Sequence, residues 1–363
     1  MGHEEDRHTL GESSRVKSAR SAQRKATMSD VARLAGAGTM TVSRFLSGSA
    51  PVSADMAQRV ERAIRQLNYR PNDLARAFRD QRSRSIGLII PYLYDPFFAN
   101  CAHAVSDVAK KNGYSVFIIT TDEDVDAEYE AAEQMLQRHV EGVVAIPARY
   151  RESRLSRSLF GRTPVVLFDR PVLDRTLDSV TVENSGGSRR MAEHLIEHGH
   201  ERIAFMGLSR RLFTINARFL GYRRAMRDAG LEEDAFFGCN SERETKQAME
   251  SRLRGANPPT AVLTSNTLVT RYVLAGLSAL AVRIPHDVAF AGFDDFEMAE
   301  FLAPPLTVVR QPAQEMGRVA TDLLFERIAR GEVQQTGAKI VLPVEIVLRR
   351  SCGCKHRDSV VIH

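Results

Sequence analysis

The feature that most constrains this chain is an alternation that begins at Ile86 and continues for about 265 residues. Short apolar or β-branched runs, "IGLIIPYL", "YSVFIITT", "VEGVVAIPA", "PVVLFDR", "RIAFMGL", "TAVLTSN" and "VAFAGFDD", each end in polar residues or glycine. Helix-like stretches such as "FFANCAHAVSDVAKKNG", "DAEYEAAEQMLQRH" and "SGGSRRMAEHLIEHG" lie between them. Strand runs separated by helical patterns predict βαβ units, hence parallel sheets with helices on both faces. The span is longer than one typical doubly wound sheet, so two lobes are expected. In such sheets ligands bind beyond the carboxyl ends of the strands. The residues to inspect are therefore Tyr94 to Phe98, Asp169 and Arg170, Asn266, and Asp294.

The N-terminal part follows another rule. Residues 1–26 are polar and poor in aliphatics, and a disordered extension is expected there. In "SDVARLAG", Ser29 reads as an N-cap, Val31, Ala32, Leu34 and Ala35 as an apolar face, and Gly36 as a C-cap. "TMTVSRFL" follows, with Val42, Phe45 and Leu46 spaced to face inward. "VSADMAQRVERAIRQLNY" then has Ser53 as N-cap and Met56, Val60, Ile64 and Leu67 on one stripe, with Pro71 ending the helix. Two short helices joined by a glycine-containing turn and closed by a third form the helix-turn-helix arrangement, whose target is the major groove of DNA. Asn72 caps one further short helix, "DLARAFR".

Charge supports this division. Residues 15–85 hold 15 Lys+Arg against 5 Asp+Glu, a surplus of ten, while the whole chain stands at +5, so the remainder is acidic by five. A basic head on a mildly acidic body implies that the head alone meets a polyanion. No apolar run approaches the roughly 18 to 20 residues that span a bilayer, and the N-terminus has no secretory h-region, so a cytoplasmic protein is expected. No GxGxxG follows the first strand, no GxxxxGK[ST] occurs and no nucleophile elbow stands out, which leaves no catalytic residue or cofactor to assign. The glycine pair in "ENSGGSRR" could cradle an anion, but packing against a neighbouring strand is the simpler reading. His194, His198 and His200 have a spacing a metal could use, without the HExxH pattern. "CGC" at 352–354 reads as two thiols in a frayed C-terminal tail, because no second ligand pair accompanies it. No metal site is assigned.

Taken together, "SDVARLAG…TVSRFLSGS…VS…RV…AI…LNYRPNDLARAFR", "SIGLIIP…DPFF", "GYSVFIITTDED", "VEGVVAIPA", "FDRP", "HLIEHGHERIAF", "ARFLGYRRAM" and "GFDDFEMAEFLAPPLTVVRQP…MG" resemble the LacI/GalR family of bacterial transcriptional regulators, from Met28 to about Ser351. The resemblance implies an N-terminal all-α helix-turn-helix domain (27–70), a hinge helix and linker (71–84), and a two-lobed α/β body like the periplasmic sugar-binding proteins (85–350). The first lobe would span about 85–181 and 312–340, the second about 182–311 and 341–350, with 351–363 left as a tail. It also implies a homodimer on a pseudopalindromic operator, with a small-molecule effector between the lobes.

Carried over residue by residue, Thr39 and Met40 fall where the family's base-reading side chains vary, and Arg44 would reach a base edge, where arginine suits guanine. Ser29, Thr41, Ser43, Ser53, Tyr69 and Asn72 join the DNA-contacting set, most of them resembling the family's phosphate contacts. Phe78 takes the wedge position of the hinge helix, where an apolar side chain opens a central base step. In the body, Phe97 and Phe98 match the aromatic pair of the effector cleft. Arg218 and Asp294 match its charged grips, and Asp169, Thr214 and Asn266 its other polar positions. Three departures stand out: Gly38 in place of a serine, Thr267 in place of an aspartate, and no C-terminal leucine heptads, which favours a dimer over a tetramer.

The expected function is thus a sequence-specific regulator, a repressor in preference, tuned by a sugar or sugar acid ahead of a purine. A solute-binding transport protein would need an export signal and no basic head. An α/β enzyme would need a phosphate loop or catalytic pair. A carbon-catabolite regulator with a phosphoprotein corepressor stays open on the sequence.

Overall fold

The computed structural model describes residues 26–47, 50–69, 82–331, 336–354 and 360–362. Two compact units divide the chain between Gln81 and Arg82.

In the first unit, α1 (Met28–Ala35) starts at Thr27 and not at Ser29. Thr27 and Asp30 close a capping box: the Asp30 N–H donates to Thr27 Oγ1 at 3.3 Å and the Thr27 N–H to Asp30 Oδ2 at 2.9 Å. This reciprocal pair outcompetes a lone serine two residues on. Gly36, at φ 62°, ends the helix as anticipated. The α2 helix (Thr39–Ser47) begins on the Gly38 carbonyl, which accepts from the N–H groups of Thr41 and Val42. In α3 (Ala54–Gln66) the Ser53 hydroxyl accepts from the Met56 N–H. This helix ends at Gln66, with Asn68 turned left-handed at φ 46°, so Pro71 is not what stops it. Val31, Ala32, Ala35, Val42, Val60, Ala63 and the Tyr69 ring form the core. Leu34, expected inside, is 46% exposed. Most of the anticipated hinge segment, residues 71–81, lies outside the described residues.

The second unit starts with β1 (Ser85–Ile90), α4 (Pro96–Lys111), β2 (Ser115–Thr120), α5 (Val125–Gln137), β3 (Gly142–Ala145), α6 (Arg157–Phe160), β4 (Val165–Phe168) and β5 (Asp178–Val182). It continues with α7 (Asn184–Glu197), β6 (Ile203–Gly207), α8 (Phe213–Asp228), β7 (Asp234–Phe237), α9 (Glu242–Leu253), β8 (Ala261–Thr264), α10 (Thr267–Ala279), β9 (Ala289–Phe293) and β10 (Thr307–Arg310). Then come α11 (Ala313–Arg330), β11 (Lys339–Leu342), β12 (Glu345–Leu348) and β13 (Val360–Ile362). A six-stranded sheet runs β11-β5-β4-β3-β1-β2, parallel throughout; a seven-stranded sheet runs β13-β12-β10-β9-β8-β6-β7. In the latter only the β10–β12 and β12–β13 pairs are antiparallel. The chain crosses between sheets after β5, returns with α11 and β11, and crosses again to β12.

Close packing sets the helix positions. A side chain at Gly187 would meet Val344 and Val309, and one at Gly221 would come within 2.1 Å of the Ser185 carbonyl, so α7 and α8 touch backbone to backbone. In the glycine pair of "ENSGGSRR", Gly187 therefore serves packing, whereas a side chain at Gly186 would meet only Glu183 and Arg190. The segment expected to be a frayed tail at 351–363 is instead part of the fold where it is described: Ser351, Cys352 and Cys354 are buried, and 360–362 form a strand. Ser351 stitches this segment in, accepting from the Thr307 N–H and donating to the Phe290 carbonyl, both at 2.7 Å. Among the described residues no helix is long and apolar enough to cross a membrane.

Candidate effector cleft and nucleic-acid interface

The carboxyl ends of both sheets open on one cleft of about 730 Å³, its open mouth included. Seven residues singled out in the sequence, Phe97, Phe98, Asp169, Thr214, Arg218, Asn266 and Asp294, all line it.

Asp169 follows β4 and Asp294 follows β9, in matching conformations. Both adopt left-handed backbone, φ 63° and 77°, and each N–H donates at 2.9 Å to the neighbouring strand, to Val180 and Val309 respectively. Aspartate tolerates this region far better than branched residues do. Each turn leaves a buried carboxylate lining the cleft.

The first lobe surrounds its charge with partners. Arg170 donates through Nε to Asp169 Oδ2 at 3.1 Å, binds both carboxylate oxygens of Glu123, and reaches the Pro147 carbonyl at 3.2 Å. Burial pulls its pKa down, yet Glu123 and then Asp169 outweigh burial, and the net shift is upward. Burial raises the Asp169 pKa against the pull of Arg170 and Arg218. Asp95 caps α4, accepting from the Phe97 N–H at 2.9 Å. Burial, then the nearby Asp294 charge, push its carboxyl up to about 6.

In the second lobe Arg218 is held differently. Nε donates to Asn184 Oδ1 at 2.8 Å and Nη1 to the Ser265 carbonyl at 2.7 Å, while Asp294 Oδ2 stands off at 3.5 Å. The guanidinium carbon lies 3.7 Å from the centre of the Phe293 ring. Burial lowers the Arg218 pKa, and the attraction of Asp294 and Asp169 does not restore it. The Arg218–Asp294 pair belongs to one lobe, not to a lobe-to-lobe bridge. Gln311, just past β10, donates through Nε2 to Asp294 Oδ1, and its buried Oε1 has no partner among the described residues. Asn266 caps α10 with Oδ1, accepting from the Val269 N–H at 3.0 Å, so its amide nitrogen is the donor that remains. Phe97 and Phe98 meet edge to face, 5.3 Å between centres.

Tyr92, Glu123 and Gln311 also line the cleft and were not singled out in the sequence. Gln311 had one usable signal, its place directly after "TVVR", but that run has only two apolar residues and does not stand out as a strand.

In the first unit, α2 exposes Thr39, Met40 and Arg44, with Met40 69% exposed, while Val42 is fully buried. Thr41 and Ser43 are half-buried; Ser29 and Ser53 are exposed. Tyr69 differs, its ring being part of the core. Asn72 and Phe78 lie outside the described residues.

Residues 27–72 match the model of "Bacterial regulatory proteins, lacI family", and residues 192–352 that of a periplasmic binding protein-like domain. The ribose operon repressor of Escherichia coli K12 is 32% identical over 314 residues, which is 85% of this chain and 95% of that protein. The HTH-type transcriptional repressor PurR of Mannheimia succiniciproducens is 30% identical over 330 residues, 90% of this chain and 98% of that protein. Among solved structures, a transcriptional regulator CelR–cellobiose complex aligns with TM-score 0.67 at 30% identity, covering 90% of this chain and 99% of that one. The lac repressor dimer bound to operator and an anti-inducer shares the fold, with TM-score 0.78 at 24% identity over 91% of this chain and 99% of that one.

Proposed function

The chain belongs to the lacI family of bacterial regulatory proteins, and from that premise we propose a transcriptional repressor whose grip on operator DNA is set by a neutral, hydroxyl-rich molecule in the cleft. The observation that carries the ligand class is the surplus of acceptors. Asp95, Asp169, Asp294 and Glu123 face three guanidiniums, those of Arg170, Arg218 and Arg271, and Gln311 Oε1 is buried with no partner among the described residues. A ligand rich in O–H donors satisfies these groups, whereas a second anion would add to the crowding that already lifts Asp95. A sugar fits this demand, with its apolar face against Phe97. The exposed Arg271 at the rim favours a sugar acid as the second reading.

On the DNA side, Thr39, Met40 and Arg44 would read bases. Ser29, Thr41, Ser43, Ser53 and Asn72 would position the backbone, and Phe78 would wedge a central step, one set from each subunit of a homodimer acting in the cytoplasm. Tyr69 would contribute through the core that carries these groups. The ligand shifts the balance of DNA-competent and incompetent states only as far as its affinities for them differ, and operator must change ligand affinity by the same factor.

A thermal-shift screen of neutral sugars, sugar acids and purines against the full chain tests this reading. A true ligand at 100 times its Kd adds about 2.7 kcal/mol. Stabilisation by purines or sugar acids alone would refute the neutral-sugar assignment.

A further inference from the structure

Two imidazoles and two thiols that the sequence holds about 160 residues apart meet in the second lobe, away from the residues that line the cleft. His194 lies in the last turn of α7 and His198 follows one turn on, their ring centres 4.3 Å apart. The segment after β12 brings Cys354 Sγ to 3.0 Å from His194 Nε2, with Cys352 Sγ 2.6 Å from Cys354 Sγ. Ligand atoms of His194, His198 and Cys354 lie within 4.8 Å of one another. Around a tetrahedral ion with N and S ligands, neighbouring donor atoms stand about 3.3–3.8 Å apart. Reaching that spacing takes an opening of about half an ångström between His194 Nε2 and Cys354 Sγ, now 3.0 Å apart, and of about 1 Å between the two sulfurs, now 2.6 Å apart, both within the reach of side-chain rotation.

The surroundings hold these groups in a ligating posture. His198 Nδ1–H donates to the His194 main-chain carbonyl at 2.7 Å, which leaves Nε2 with its lone pair. Gly353, at φ 81°, makes the turn that brings both thiols together. The Thr307 hydroxyl donates to Cys352 Sγ at 3.2 Å, fixing the second thiol. His200 is not a ligand: Nδ1 meets the Thr260 hydroxyl at 3.2 Å, and its ring bonds the Cys352 backbone, bracing the turn. His194 and the cysteines are buried while His198 is exposed, which supplies an entry path.

We propose that His194, His198, Cys352 and Cys354 bind a borderline-soft d10 cation of the Zn2+ type. Nitrogen and sulfur donors without a carboxylate select such an ion over Mg2+ or Ca2+. Each cysteine that binds releases its proton to solvent, and the ion ties the end of α7 to the segment after β12.

The test is a Co2+ titration of the full chain after chelator treatment under reducing conditions. Stoichiometric binding with thiolate-to-cobalt charge transfer and tetrahedral d–d bands, reversed by Zn2+, is the expected result. Cys354→Ser should cut the thiolate absorption to about half and weaken binding, the Cys352→Ser, Cys354→Ser double variant should remove that absorption, and His198→Ala, on the exposed end of a helix, should weaken binding about tenfold or more. A cobalt spectrum without thiolate bands, or wild-type binding by these variants, overturns the site. So does a missing pair of free thiols in the purified protein, restored by reductant, since a Cys352–Cys354 disulfide would consume the ligands.

Discussion

The two lobes each place an arginine in the same cleft, and the two are held in opposite ways. Arg170 is bracketed by Glu123 and Asp169, and these carboxylates overcome the cost of burial. Arg218 is as deeply buried, yet its nearest carboxylate stays at 3.5 Å and burial wins. A buried charge whose partners suffice belongs to the scaffold; one left short of compensation is poised for a ligand. On the proposed function, the first lobe would supply a self-compensated wall, and the second a group whose bonding a ligand would complete.

The contrast breaks most directly at the arginines. Arg170→Met leaves the buried Asp169 without its adjacent cation and Glu123 with only the looser Arg149 pair at 3.6 Å, and should cost on the order of 3–5 kcal/mol in thermal or denaturant unfolding. Arg218→Met should cost only about 1–2 kcal/mol, because Asp294 keeps Gln311, but ligand stabilisation should vanish while operator binding persists. Equal losses of stability would erase the distinction.

The aspartates sharpen it further. Asp294→Asn keeps a residue that tolerates φ 77° and should weaken ligand binding by about 10–100-fold, or about 1.4–2.8 kcal/mol by calorimetry. Asp294→Ala should add about 1–2 kcal/mol of conformational destabilisation that the amide spares. For Asp95, the folded carboxyl titrates near 6, above its unfolded value of 3.8. The folded state therefore binds the proton more tightly, and stability falls as pH rises from about 4 to about 6, by on the order of 2 kcal/mol. Asp95→Asn should flatten that part of the stability–pH profile; an unchanged slope would remove Asp95 as its source.

The smallest effect on stability is expected in the DNA-binding unit, where buried Val42 and exposed Met40 repeat the contrast on one helix. Met40→Gln should change stability by less than about 0.5 kcal/mol. It should nevertheless alter operator preference at one base pair per half-site by about 1–3 kcal/mol, measured by binding to single-substitution operators. An unchanged preference would show that Met40 reads no base.

Much of this was legible because strand ends carry the chemistry. "FDR", "TSN" and "GFDD" each join an apolar run to the polar residue that enters the cleft, so Asp169, Asn266 and Asp294 could be found one at a time. The partners were not legible: Glu123 is 47 residues from Arg170, and nothing local announces that they meet. The strands "DSVTV", "DAFF" and "TVVR" do not stand out in the sequence because two of them open on an aspartate and the third has only two apolar residues between Thr307 and Arg310; length alone is not the reason, since β3 and β4 are as short. Ser29 looks like the cap because a serine before an apolar run is a good signal; the Thr27–Asp30 pair, which starts two residues earlier, is a better one. The C-terminal cysteines looked frayed because their burial depends on α7 and on Thr307, neither near in sequence.

The paired left-handed turns at Asp169 and Asp294 also bear on how a protein like this acquires a new specificity. Only aspartate, asparagine and glycine sit comfortably at such positions, so most single-codon changes there are filtered out by folding before ligand binding is ever sampled. Thr214, Asn266, Thr267 and Gln311 have ordinary backbones and carry no such filter. Retuning toward another effector should therefore accumulate at those four positions while the two aspartates persist as a fixed frame, and a sensor library built on this chain would best leave that pair alone.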